Sequence, residues 1–288
     1  MRLARARWHD RIVLVRLETS QAIHLADEST HPAADVLRET LSLGLDLSGP
    51  GESINEVELT LLSPVANPSK IICVGLNYFD HAVEAGVTTP SEPLLFAKFP
   101  NTLIGHGETI SYSRKATKEV DYEGELAVVI GERCWQRSEQ DALSCVLGYT
   151  VANDVSARDA QLSDGQWLRG KSFDRFCPLG PALVTADEVG DPQSLNISTR
   201  MNGVCVQDAS TADMIFTVAE LVSYCSRFFT LEPGDLVLTG TPPGVGFTRT
   251  PPLYLSDGDT VEVTIDGIGT LTNVVRSYGD VEAKLWAD

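Results

Sequence analysis

Positive charge is scarce in this sequence. Its 288 residues carry 22 Lys and Arg against 40 Asp and Glu, a formal net charge of -18. Nucleic-acid binding and attachment to anionic membrane surfaces both rest on basic side chains meeting phosphates, so the composition argues against either partner. No apolar run approaches the roughly 18 residues of a membrane-spanning helix. After Arg2, Arg5 and Arg7, Trp8-His9-Asp10 stands where a signal peptide would continue apolar. The six cysteines form no C-x-x-C pair and lie mostly in apolar runs, which reads as reduced core thiols of a cytoplasmic protein. The five histidines show neither H-x-x-x-H nor H-x-H spacing, which disfavours zinc. The turn Thr239-Gly240-Thr241-Pro242-Pro243-Gly244 lacks the G-K-[ST] ending of a phosphate-binding loop and reads as a rigid turn presenting Thr241.

What is present is an ordinary globular composition, 43% apolar and 22% charged. Residues 1 to 66 alternate short apolar runs with turns such as Ser48-Gly49-Pro50-Gly51 and hold nothing suited to catalysis. They read as a small N-terminal α/β domain, separated near Ser63-Pro64 from a strand-rich domain over 67–288, an α+β protein as a whole. In the second part, Ile71-Ile72-Cys73-Val74 predicts a buried strand, followed by a short helix over 77–85 that Gly86 stops. Strands are also predicted over 120–130, 146–152, 236–239 and 260–265. The apolar stripe from Met214 to Phe228 predicts a helix packed on the core.

The chemistry concentrates in Asp121-Tyr122-Glu123-Gly124-Glu125. Residues i and i+2 of a strand share a face, so Glu123 and Glu125 project together, either as acids of a solvated edge or as ligands of a cation. The following Leu126-Ala127-Val128-Val129-Ile130 leads inward, where unpaired carboxylates are costly, and favours the cation. Asp154 offers a third carboxylate at the end of another apolar strand, although spacing alone favours its capping a helix entering Arg158, with Arg158 and Gln161 on its face. Three carboxylates without thiolate or imidazole partners suit Mg2+ or Mn2+. His81 and Glu84, at i and i+3, are either a surface ion pair or a histidine held ready to take a proton. Lys171 follows Gly170 in a polar stretch.

Taken in order, these segments resemble the fumarylacetoacetate hydrolase superfamily from about Lys70 to the C-terminus. The resemblance is carried by Gly75-Leu76-Asn77-Tyr78-Phe79-Asp80-His81, Val120-Asp121-Tyr122-Glu123-Gly124-Glu125, Asn153-Asp154-Val155-Ser156-Ala157-Arg158, Arg169-Gly170-Lys171-Ser172-Phe173-Asp174, Pro178-Leu179-Gly180-Pro181 and Leu238-Thr239-Gly240-Thr241-Pro242-Pro243-Gly244. It implies a mixed β-sandwich roll, usually homodimeric. It also implies that Glu123, Glu125 and Asp154 hold Mg2+ or Mn2+, that His81 with Glu84 activates water, and that Lys171 stabilises developing charge. Arg158, Gln161 and Thr241, with Lys98 from a segment resembling the family's lysine-bearing strand, would contact a small anionic 2-oxo acid.

One departure is informative: fumarylacetoacetate hydrolases proper carry a further acidic ligand ahead of the histidine, where this chain has Asn77 and Tyr78. The expected activity is therefore that of the shorter relatives, C–C hydrolysis or decarboxylation of acylpyruvates or oxaloacetate through a metal-stabilised enolate. The alternative is isomerisation or hydration of dienoic 2-oxo acids, as in 2-hydroxyhepta-2,4-diene-1,7-dioate isomerase. A catalytically inactive binding protein on the same fold is the third reading.

Overall fold

The computed structural model describes residues 1–29, 35–44 and 46–279. The chain is a strand-rich α+β protein in which a 12-stranded mixed sheet packs on a 5-stranded one. The strand Gly124–Ile130 lies deep in the large sheet, antiparallel to both Val146–Asn153 and Leu236–Leu238. Its apolar residues explain the layering. Leu126, Val128 and Ile130 join one core cluster with Ile197, Val263 and Ile265 of the small sheet, while Ala127 and Val129 join another with Leu236 and Leu37. A strand covered on both faces needs a continuous apolar run, which is what the sequence shows there.

Gly124 sits where the two sheets meet. A Cβ at this position would lie 2.3 Å from Thr199 Oγ1 and 2.9 Å from Val263 Cγ1. The glycine between the two glutamates thus lets the small sheet close on the large one directly behind the site.

The N-terminal strands Arg2–Trp8, Arg11–Leu17 and Ala22–Asp27 form an antiparallel meander that extends the large sheet, because Arg2–Trp8 also pairs with Cys177–Thr185. The helix Val36–Ser42 buries Val36 and Leu37 against that sheet. Its N-cap Asp35 accepts from Arg38 N and, through its other oxygen, from Ala66 N and Asn67 N, tying the first segment to the start of the second. Among the described residues no helix is long and apolar enough to cross a membrane.

Three local expectations differ from the structure, each for a tertiary reason. The strand predicted over 120–130 is interrupted at Tyr122-Glu123: Val120–Asp121 pairs separately with Ser156–Ala157, and Glu123 N donates to the Asn153 side chain at 3.0 Å. Asp154 caps no helix; the helix is Arg158–Leu162, and its N-cap is Ala157. The later helix is shorter than its apolar stripe, running Val218–Phe228 behind a Thr217–Glu220 capping box, and Met214 instead forms an isolated bridge with Tyr78.

Candidate active site

The site gathers where the strand Gly124–Ile130, the end of Val146–Asn153 and the two short helices Arg158–Leu162 and Leu168–Lys171 converge. Glu123, Glu125 and Asp154 are all buried, and each offers an oxygen within 4.8 Å of the others. Asp154 N donates to the Glu123 carbonyl at 2.8 Å, which locks two of the acidic residues together through the backbone.

Buried cations offset most of this charge. Lys171 Nζ lies 2.7 Å from Glu123 Oε2 and 2.8 Å from Asp154 Oδ2. Arg158 reaches Glu123 Oε1 at 2.7 Å and Asp121 Oδ2 at 2.8 Å, and its Nη1 donates to Gln161 Oε1 at 2.9 Å. Lys98 Nζ donates to Asp154 Oδ1 at 2.7 Å and to the Val155 carbonyl at 3.1 Å.

Four buried carboxylates (Asp121, Glu123, Glu125, Asp154) therefore face three buried cations. Among the described residues, the one left without a cationic partner is Glu125, whose Oε2 accepts the backbone N–H of Gly240 at 2.8 Å. The protonation equilibria reflect the imbalance. Burial, then the neighbouring Asp154 and Glu123, push the Glu125 carboxyl well above the usual range. Burial also raises Glu123, but Lys171 and Arg158 outweigh it and hold that carboxyl at about 2. One uncompensated charge in a three-carboxylate, all-oxygen cluster is what a hard divalent cation would neutralise, so these residues fit Mg2+ or Mn2+.

A cavity of about 170 Å³ opens on this cluster, lined by Glu123, Arg158, Gln161, Lys171, Thr241 and His81, with an apolar wall that includes Phe96, Trp167 and Phe247. His81 lies on the helix Phe79–Glu84, and its Nδ1 is 3.3 Å from Glu84 Oε2. Gly244 N donates to both Glu84 oxygens at 3.1 Å. Burial pushes the Glu84 carboxyl up, but hydrogen bonds from His81 and Gly244 prevail and lower it, so it stays ionised and can hold the ring. Thr241 donates its hydroxyl to the Gly124 carbonyl at 3.0 Å.

Lys98 is placed differently from the other expected residues. It is 2% exposed, bonded behind Asp154, and absent from the residues lining the cavity, so it braces a carboxylate from within the protein.

Three further residues had no role in the site assigned to them from the sequence. Asp121 accepts Arg158 Nε at 2.9 Å and the backbone N–H groups of Gly246 and Phe247 at 2.7 and 3.1 Å, while the Phe247 ring stacks 4.3 Å from the Arg158 guanidinium. It thereby fixes both the arginine and the turn that carries Glu84's donor. Gln207 donates to Thr241 Oγ1 and the Pro242 carbonyl, both at 2.8 Å, and accepts from Gly124 N at 3.0 Å. Asn77 braces the 239–240 turn by donating to the Thr239 carbonyl at 2.8 Å. All three act through contacts distant in sequence. Asp121 and Asn77 stand in segments that carry the family resemblance, and Gln207 stands in none of them.

Comparison with known proteins identifies the family. The pattern of the Fumarylacetoacetate (FAA) hydrolase C-terminal family matches residues 70–276. The mitochondrial oxaloacetate tautomerase fahd2 of Xenopus laevis is 49% identical over 224 residues, covering 77% of this chain and 70% of that protein. The oxaloacetate tautomerase YisK of Bacillus subtilis is 46% identical over 226 residues, covering 77% and 74%. Among solved structures, the fumarylacetoacetate hydrolase from psychrophilic Exiguobacterium antarcticum superposes with a TM-score of 0.85 at 36% identity, over 96% of this chain and 100% of that one. A 2-hydroxyhepta-2,4-diene-1,7-dioate isomerase from Mycobacterium marinum gives 0.77 at 39% identity, over 97% and 100%. With the family pattern spanning most of its length, the chain belongs to the fumarylacetoacetate hydrolase family.

Proposed function

We propose that this enzyme is a divalent-metal-dependent tautomerase of oxaloacetate, interconverting the keto and enol forms of a small 2-oxo diacid. The observation that carries the reading is the conjunction of a buried carboxylate triad with one uncompensated charge and a cavity-lining His81 held by Glu84. Two relatives at 49% and 46% identity carry the name oxaloacetate tautomerase, which favours tautomerisation over the cleavage reactions.

In the keto-to-enol direction a C–H bond at carbon 3 breaks, an O–H bond forms at the carbon 2 oxygen, and no atom is gained or lost. With Nδ1 engaged by Glu84, His81 presents Nε2 to the cavity as the group that takes the carbon-bound proton and returns it. Lys171 and Arg158 line the cavity while paired with Glu123, and their N–H groups are the donors that substrate carboxylate and enolate oxygens would meet once a cation neutralises the carboxylates. A divalent cation held by Glu123, Glu125 and Asp154 would supply Lewis-acid stabilisation of the enolate when bound. Thr241 and Gln161 supply neutral polar contacts.

Hydrolysis or decarboxylation of related 2-oxo acids is the second reading. It is favoured by the same His81–Glu84 pair, which could equally orient water.

The reading includes a cytoplasmic homodimer. Five of the six free cysteines are buried, which suits a reducing compartment. An apolar groove along the sheet-edge strand Leu94–Lys98, with Phe99 53% and Phe229 38% exposed, supports self-association. The test is a coupled assay of enol-to-keto conversion after chelator treatment. Activity is expected to vanish and to return with Mg2+ or Mn2+; full activity in stripped protein refutes the metal assignment.

A further inference from the structure

The apolar side of the cavity has one feature that the chemistry above does not use. Trp167 lines it one helical turn before Lys171, whose backbone N–H donates to the Trp167 carbonyl at 3.0 Å. The indole packs edge-on to Phe96, with ring centroids 5.2 Å apart and planes at 68°, and Phe96 in turn lies 5.0 Å beneath the Lys171 ammonium. Its far edge lies over Gly75, where an added Cβ would come within 2.6 Å of Trp167 Cζ3 and 3.0 Å of Cη2. The missing side chain at 75, at the end of the strand Ile71–Gly75, is therefore what lets the indole settle against the sheet. The wall is a stack of Gly75, Trp167 and Phe96 leading to the lysine that bonds Glu123 and Asp154.

Size gives this wall a function. The cavity of about 170 Å³ is well below the roughly 300–1,000 Å³ of sites that enclose drug-sized ligands. Four charged or titratable side chains already claim part of its lining, so the space left for a substituent on carbon 4 is bounded by the apolar wall. We infer that Trp167, seated on Gly75, is the specificity-determining residue that restricts the site to four-carbon 2-oxo diacids and rejects 2,4-dioxo acids with a bulky acyl end. The inference rests on the cavity being the substrate site of the proposed reaction.

The test compares wild type with Trp167→Ala and Trp167→Phe, all loaded with Mn2+, on oxaloacetate and on 4-phenyl-2,4-dioxobutanoate. One methylene in an apolar pocket changes selectivity by roughly 10–200-fold, so removing an indole is expected to shift the ratio of the two kcat/KM values toward the bulky acid by at least tenfold, with the Phe variant between. Calorimetric titration of the Mn2+-loaded proteins with oxalate and with the phenyl compound gives a readout independent of turnover. Trp167→Ala should gain at least tenfold in affinity for the bulky ligand and keep its affinity for oxalate within about threefold.

Gly75→Ala provides the converse, by forcing the indole off its seat; it should weaken oxaloacetate and bulky ligand unequally relative to wild type. Unchanged ratios and unchanged bulky-ligand affinity in Trp167→Ala overturn the inference. If no variant turns over either acid while the affinities shift as stated, the tautomerase reading fails and the size filter stands.

Discussion

Replacing Glu125 by Gln tests the electrostatic argument most directly, because it removes the one carboxylate of the four-carboxylate cluster without a cationic partner while keeping its shape and an oxygen for the Gly240 N–H. In the metal-free protein the native carboxyl is held well above its usual range, so the folded state retains a proton that the unfolded chain releases. The sign follows. Wild-type stability is fullest below the unfolded value, about 4.3, and declines as pH rises toward the folded value, by as much as about 1.4 kcal/mol per unit. The decline has a ceiling at pH 7 of about 4 kcal/mol, the free energy of protonating a glutamic acid in water at that pH.

Gln escapes this penalty but adds a buried amide N–H pair that costs roughly 1–3 kcal/mol if unpartnered. The informative quantity is therefore the pH dependence of the difference between the two proteins. Between pH 5 and 7 the stripped variant should gain on stripped wild type by up to about 3 kcal/mol, near 6 °C at about 2 °C per kcal/mol for a chain of this length. Mn2+ should reverse the order: saturation at a hundredfold over its dissociation constant stabilises wild type by about 2.7 kcal/mol and leaves the variant nearly unmoved. Thermal melts with chelator and with Mn2+ across that range measure both. A difference that is flat in pH, or equal Mn2+ stabilisation of the two proteins, refutes the charge accounting.

The other expectations concern the cations and the base. His81→Asn should lower kcat by roughly 100- to 10,000-fold while calorimetric Mn2+ affinity stays within twofold, and a loss below threefold would remove His81 from proton transfer. Lys171→Met strips the ammonium from both Glu123 and Asp154 and should cost about 3–5 kcal/mol by urea denaturation at pH 7. Because Lys171 and Arg158 hold the buried Glu123 carboxyl near 2, its contribution is present above about pH 4.5 and is lost as pH falls toward 2. The variant's acid denaturation curve should therefore be flatter across that window than wild type's, and an unchanged slope would show that Arg158 alone sustains the shift.

Local rules went furthest where a residue's role depends on its immediate neighbours. The run from Leu126 to Ile130 is apolar because both its faces are covered, and the sequence displays that as an unbroken stretch. The His81–Glu84 spacing brings the two groups together within a single short helix. The two glutamates around Gly124 were legible as a pair for the same reason, although the strand that should carry both is broken at Glu123 by a side chain 30 positions away.

Asp154 shows the other case. Helical spacing predicts that it aligns with Arg158 and Gln161, yet Asp154 precedes the helix and is linked to Arg158 through Glu123, whose carbonyl accepts the Asp154 N–H and whose carboxylate meets the guanidinium. Lys98, expected as a substrate contact, is bonded to Asp154 and stands outside the cavity lining, at the end of the strand Leu94–Lys98. Sequence alone thus determined the types of chemical groups, their local pairings and the covered strand, since these follow from side-chain chemistry and backbone period. Only the tertiary structure decided which charges cancel, that Glu125 is left without a cation, that Asp121 anchors Arg158, and how much room Trp167 leaves on Gly75. Those outcomes depend on distances between segments far apart in the chain, and no local period encodes them.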